Sequence, residues 1–134
     1  MTRGLCELTL ETPRHTELAD FYKAVLGLEV LTEQDDRVWL ACGPNARLGI
    51  WSPGTKEFGD RGGRHVHFAF SVTRSEIGDV CDRLRRLGHD FRGPVEHDGG
   101  DRSLYIEDPD GNVVELWDFF EDGNGAHAGV RALA

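Results

Sequence analysis

Apolar and polar residues alternate over residues 5–10, Leu-Cys-Glu-Leu-Thr-Leu, and that period reads as a strand. After Thr12-Pro13 the apolar side chains return at Leu18, Phe21, Tyr22, Val25 and Leu26, the spacing of a one-faced helix. Thr12 is the expected cap, Pro13 the first helical residue and Gly27 the stop. Strands are expected at 29–32, 37–42 and 47–51. The same order then recurs. Residues 65–72 read as a strand, and Thr73-Arg74-Ser75-Glu76 has the form of a capping box. Ile77, Val80, Cys81, Leu84 and Leu87 make a second apolar helix face, closed by Gly88. Strands are expected at 90–92, 102–107 and 112–118. Between the last two, Asp108-Pro109-Asp110-Gly111 suits a type I turn, with Pro second and Gly fourth.

Thr12 and Thr73 are 61 positions apart, as are Gly27 and Gly88, while Trp39 and Tyr105 are 66 apart, the excess falling in the loop expected at 93–101. The chain therefore reads as strand–helix–three strands, written twice. Two copies are too few for a solenoid. The α+β class follows, with paired curved sheet and helices on its outer face. Module one is expected at about 4–52 and module two at about 64–119, with a loosely held tail from 121 to 134. The glycine-rich junction at 53–64 lacks the spacing and the strand–helix context of a phosphate loop.

Strand parity sorts the side chains. Glu7 and Thr9 share a face, opposite Leu8 and Leu10. His67, Ala69 and Ser71 oppose Val66, Phe68, Phe70 and Val72. The wholly apolar side belongs under the helices, so the mixed side lines the concave face. Glu115 lies inside Val113-Val114-Glu115-Leu116-Trp117, where an unpaired carboxylate costs several kcal/mol. Glu7 and His67 occupy equivalent places in the two modules. Glu115 falls opposite Gly49 or Ile50, neither of which ligates through its side chain. One imidazole and two carboxylates, with a fourth position blank, is the layout of a catalytic metal site. That donor set suits Mn²⁺, Fe²⁺, Zn²⁺, Co²⁺ or Ni²⁺. Taken singly, Glu7 reads as an edge charge, His67 as a satisfied core histidine and Glu115 as the partner of an arginine. The shared face and matched offsets favour the metal.

Composition narrows the classes. The 134 residues carry 15 Lys and Arg against 24 Asp and Glu, a net charge of −9, which repels nucleic-acid phosphates. No apolar run has the roughly 18–20 residues of a membrane helix. The start, Met-Thr-Arg-Gly-Leu-Cys-Glu, interrupts a signal sequence with a carboxylate, so a cytoplasmic protein is expected. Cys6, Cys42 and Cys81 form no C-x-x-C pair and read as three buried thiols.

Four segments carry a family resemblance: Cys6-Glu7-Leu8-Thr9-Leu10, Phe21-Tyr22-Lys23-Ala24-Val25-Leu26-Gly27, His67-Phe68-Ala69-Phe70 and the run from Asp108 to Glu115. The chain resembles the vicinal oxygen chelate superfamily, which groups glyoxalase I, extradiol dioxygenases, methylmalonyl-CoA epimerase and the fosfomycin and bleomycin resistance proteins. The resemblance implies two βαβββ modules forming a cup of eight strands in a mixed sheet. It implies metal ligands at Glu7, His67 and Glu115, and a module-swapped homodimer in which Glu7 of one copy meets His67 and Glu115 of the other.

The resemblance also assigns roles. Glu7 is the candidate base, and Tyr105 a candidate hydrogen-bond donor. Thr9, Trp39, His65, Tyr105 and Trp117 are candidate substrate-binding residues. His15, His89, His97 and His127 read as surface or loop residues. Glu7 stands where dioxygenases often carry His, and the usual oxygenase triad has two His and one carboxylate, so ring cleavage is demoted. Gly49 or Ile50 stands where glyoxalase I has a fourth ligand. The expected function is metal-dependent lyase, isomerase or related chemistry on a small oxygen-chelating substrate. The alternative is metal-free sequestration of a cationic antibiotic by an acidic dimer, with Trp39, Trp51 and Trp117 for stacking.

Overall fold

The computed structural model describes residues 5, 7–55 and 67–118. The chain divides into two compact units, Met1–Gly63 and Arg64–Ala134, at the glycine-rich junction. The strand expected from residue 65, the tail from 121, and Cys6, His65, Val66 and His127 lie wholly or partly outside the described residues.

The first unit runs β1 (Glu7–Glu11), α1 (His15–Leu26), β2 (Val30–Gln34), β3 (Arg37–Cys42) and β4 (Ala46–Trp51). Its strands lie in the order β1-β4-β3-β2, with β1 parallel to β4 and the other neighbours antiparallel. The second unit runs β5 (His67–Ser71), α2 (Arg74–Leu87), β6 (Arg92–Glu96), β7 (Arg102–Glu107) and β8 (Val113–Trp117), in the order β5-β8-β7-β6. Strand–helix–three strands is thus repeated as expected, and each sheet is mixed.

The parity expected from sequence holds in both units. Leu10, Val38, Leu40, Leu48 and Ile50 are buried with Leu18, Phe21, Tyr22 and Val25 of α1, which packs on β3 and β4. Leu104, Ile106, Val114 and Leu116 are buried with Ile77, Cys81 and Leu84 of α2, which packs on β7. In β1, β3, β4, β5, β7 and β8 the odd-numbered residues are left on the opposite face. At about 25 cal/mol per Å² of apolar surface removed from water, these two faces dominate the stability of each unit.

Four expectations are corrected. Thr12 does not cap α1, and Pro13 is not its first residue: the N-cap is Arg14, with no side-chain bond. Thr12 is instead buried and tied to the end of β4. Its N–H donates to Trp51 O at 2.8 Å, and its carbonyl accepts Ser52 Oγ–H at 2.6 Å. Its own Oγ1 accepts the Arg14 N–H. The strand expected at 90–92 lies at Arg92–Glu96, inside the expected loop. Gly93 and Pro94 read as loop signals, but an edge strand tolerates both, and the register shifts between Arg92 and Val95 as a bulge. Leu87 is exposed, because the last turn of α2 leaves its apolar side chain off the sheet. Cys42 is half-buried; Cys81 is buried, and both thiols are free. Burial pushes both thiols above their ordinary pKa.

The remaining signals perform as read. Gly27 and Gly88 end their helices in the left-handed conformation. Thr73 and Glu76 close a reciprocal capping box. The turn at Asp108 closes through the Gly111 N–H to Asp108 O bond, 2.9 Å. The buried Asp108 carboxylate also accepts N–H bonds from Asp110 and Asn112 and from the Asn112 amide. This rigid turn fixes the β7–β8 register, and so which residues face Glu115. Among the described residues no helix is long and apolar enough to cross a membrane.

Candidate metal centre

In the second unit β8 lies between β5 and β7, so a residue on its open face is flanked on both sides. Ala69 and Tyr105 are the register partners of Glu115. Ala69 is short and leaves room, and the Glu115 side chain is only 9% exposed. His67 Nε2 lies 2.7 Å from Glu115 Oε2, the imidazole N–H donating to the carboxylate. Tyr105 donates its hydroxyl to Glu115 Oε1 at 3.1 Å. Glu115 therefore has neither the arginine partner that a structural role would supply nor an unsatisfied oxygen, and these bonds offset the cost of its burial.

The chain of bonds continues. Ser103 Oγ donates to the Tyr105 hydroxyl at 3.2 Å. His97 Nε2 lies 2.9 Å from Ser103 Oγ. Ser103's one proton is committed to Tyr105, so His97 must be the donor. The His97 ring also packs edge-on against Trp117, whose indole N–H donates to Asp101 at 2.6 Å. Tyr105 thus acts on Glu115 in this arrangement, with no hydroxyl proton left over. His97 is a loop residue, as expected, but it is half-buried and wired to the site. Ser103 could have been found from parity, being two residues from Tyr105 on one strand. His97 lies in a connection with no period to reveal it.

In the first unit the corresponding face is arranged differently. Glu7 Oε1 accepts both Arg47 Nε–H and Nη2–H at 2.8 Å, and Oε2 accepts the Thr9 hydroxyl at 3.2 Å. Arg47 lies 3.9 Å over the Trp39 ring. The register settles the blank position. Thr9 and Trp39 flank Gly49 as Ala69 and Tyr105 flank Glu115. A Cβ at Gly49 would overlap the Trp39 ring, so that ring fills the space a fourth ligand would need. Trp39 is buried there, with Trp51 against it edge-on.

Two cavities adjoin these groups. One of about 430 Å³ has His67 and Tyr105 on its wall, with an apolar lining from Val95, Ile106 and Val113. The other, about 450 Å³, lies beside Glu7 and Arg47. Each is within the size range of small-molecule sites. Of the expected ligands, the structure brings His67 and Glu115 together. Among the described residues no three His, Cys, Asp or Glu side chains are gathered as one group. An imidazole nitrogen and a carboxylate oxygen side by side nonetheless match the donor preference of a borderline divalent ion, and Glu115 has a hydrogen-bonded support of the kind that orients ligands.

Comparison with known proteins agrees with this architecture. Biphenyl-2,3-diol 1,2-dioxygenase 3 of Rhodococcus globerulus is 32% identical over 125 residues, covering 87% of this chain and 63% of that enzyme. The chain thus spans less than two thirds of that relative's length. Lactoylglutathione lyase of Salmonella typhimurium is 28% identical over 119 residues, covering 78% of this chain and 84% of the lyase. The crystal structure of a lactoylglutathione lyase from Agrobacterium tumefaciens superimposes with a TM-score of 0.72 at 24% identity, over 87% of this chain and 94% of that one, and shows the same fold. A family profile matches residues 6–116, nearly the whole described length. The chain belongs to the Glyoxalase/Bleomycin resistance protein/Dioxygenase superfamily.

Proposed function

We propose that this chain is a divalent-metal-dependent enzyme acting on a small oxygen-chelating substrate, with Glu7, His67 and Glu115 as the protein ligands. The observation that carries the reading is the buried Glu115 carboxylate, held by His67 at 2.7 Å and Tyr105 at 3.1 Å rather than by a permanent cation of the protein. When bound, Mn²⁺, Fe²⁺, Zn²⁺, Co²⁺ or Ni²⁺ would supply Lewis-acid stabilisation of charge developing on a substrate oxygen.

The chain's own residues supply the rest. His67 and Glu115 provide adjacent nitrogen and oxygen donors. Tyr105, itself braced by Ser103 and His97, fixes the Glu115 carboxylate, so the donor oxygen does not have to be ordered when a ligand arrives. Glu7 is the third donor and the base of this proposal. Its Arg47 partner orients it, and the pair is exposed enough to part at small cost. Thr9, bonded to Glu7, and Trp39, stacked under Arg47, act through that carboxylate. The working form proposed is a module-swapped homodimer, Glu7 of one copy serving the His67–Glu115 pair of the other. Lyase or isomerase chemistry is favoured over ring opening because the donor set has one His and two carboxylates rather than two His and one.

Two measurements test this. Metal analysis and calorimetry with Mn²⁺, Ni²⁺, Zn²⁺, Co²⁺ and Fe²⁺ should give a stoichiometric ion that Glu115→Ala loses. A panel of methylglyoxal–thiol adducts, epoxides, catechols and CoA thioesters should then reveal turnover only in the loaded protein. A metal-free protein whose tryptophan fluorescence is quenched by a basic drug would establish sequestration instead. Arg92 on the wall of the cavity beside His67 weighs against a cationic guest.

A further inference from the structure

The cavity beside His67 and Tyr105 has a feature that metal ligation does not use. Arg92 of β6 is on its wall, on the same face as Tyr105 and directly opposite it in register. Among the described residues Arg92 has no carboxylate within ion-pairing distance. The other arginines near a site are spoken for: Arg47 is bound to Glu7, and Arg102 donates to Arg74 O and pairs with Asp118. The bulge after Arg92 is what sets it here. Gly93 takes a φ of +104° with backbone atoms about 3 Å from where a Cβ would lie, so the turn admits only glycine and re-aims the strand at that residue.

We infer that Arg92 recognises an anionic group on the substrate, and that the substrate is an organic acid with an apolar body between its chelating oxygens and its carboxylate. The inference deepens the metal-dependent reading and rests on it for the chelating oxygens. A guanidinium offers paired N–H donors matched to the two oxygens of a carboxylate. The wall between Arg92 and Glu115 is Tyr105, with Val95 and Val113 alongside, so the space is apolar where the substrate body would lie. Arg92 and Glu115 are two strands apart, about 10 Å by strand spacing. Glu107 also reaches this cavity, two residues along β7 from Tyr105 and beside Val113. Its carboxylate disfavours an anion beside it, and Arg92 is the one arginine or lysine among the described wall residues. A chain of net charge −9 otherwise repels anions, so this local cation is what would admit one.

Three catechols of similar size test the assignment: 3-(3,4-dihydroxyphenyl)propanoate, neutral 4-propylcatechol and cationic dopamine. Their dissociation constants are measured by calorimetry on the whole protein, once loaded with redox-inert Zn²⁺ and once with EDTA. The expected order is anion tightest and cation weakest. Arg92→Gln should weaken the propanoate about tenfold and the other two less than about twofold, the loss of one partly screened charge pair. Arg92→Lys should restore part of the preference. Arg92 is exposed, so neither change threatens folding. Binding independent of zinc, with the anion preference kept and lost in Arg92→Gln, would support Arg92 while overturning the metal centre. Equal affinity for all three, unchanged preference in Arg92→Gln, or no binding of any catechol would overturn the assignment.

Discussion

On the open face of the second unit, the strand paired in parallel with β5 carries Glu115, flanked by Ala69 and Tyr105. On the open face of the first, the strand paired in parallel with β1 carries Gly49, flanked by Thr9 and Trp39. The backbones are arranged alike, and a difference of one side chain reorganises everything around it. Where the carboxylate is present, a hydroxyl and an imidazole turn toward it. Where it is absent, an indole lies across the gap and an arginine lies across the indole, holding Glu7. One unit has kept two potential ligands in contact; the other has kept one and closed the remaining position by packing. A duplicated fold can thus be symmetric in its core and asymmetric in its chemistry, because in β1, β3, β4, β5, β7 and β8 the core uses even-numbered residues and the open face odd ones.

The comparison can be broken most sharply at its two equivalent positions. Glu115→Ala should lower divalent-metal affinity by more than about 100-fold, beyond the 10–100-fold typical of a supporting residue, as read by calorimetry. Gly49→Ala should bind metal normally but unfold more easily, by about 2–3 kcal/mol in urea titrations, since even a methyl overlaps the Trp39 ring. Combining it with Trp39→Ala should cost less than the two changes separately, because both act on one space. Equal, additive losses would show that the ring does not fill the blank.

Smaller effects sharpen the contrast. Tyr105→Phe should weaken metal binding about tenfold while costing the fold only about 1 kcal/mol, separating support of Glu115 from packing. The helices differ too: α2 has a complete capping box and α1 has none. Bonds from Thr73 hold the Glu76 carboxyl below its ordinary value of 4.5. A lowered carboxyl contributes stability above its unfolded pKa and loses it as pH falls through its folded one. Glu76→Ala should therefore destabilise at pH 7 by a few tenths of a kcal/mol, given its exposure, and the difference should vanish in acid. Thermal melts at pH 7 and pH 3 would show it. Arg14→Ser, giving α1 the side-chain cap it lacks, should raise stability by about 0.5 kcal/mol.

What could be read from the sequence follows the same division. The repeat, the helix stops, the capping box and the Asp108 turn were legible because each is a local rule carried by adjacent residues. Strand parity placed Glu7, His67 and Glu115 on the open faces, since the two-residue period needs no tertiary information. The role of Thr12 is not legible locally because it is set by the end of β4, 40 residues away. The strand expected at 90–92 falls short of β6 at Arg92–Glu96 because Gly93 and Pro94 mark a loop unless an edge position excuses them. Arg47's hold on Glu7, the choice of Gly49 over Ile50, and the His97–Ser103–Tyr105 chain all depend on cross-strand register, which a one-residue slip would undo.

The account stands most directly on where a bound cation sits. Diffraction from crystals of the Zn²⁺-loaded protein, recorded across the zinc absorption edge, should show one strong anomalous peak about 2.0–2.2 Å from Glu7 and Glu115 oxygens and the His67 nitrogen, in one chain or between two copies. A peak elsewhere, or a zinc held by His67 and Glu115 while Glu7 stays bound to Arg47, would contradict it.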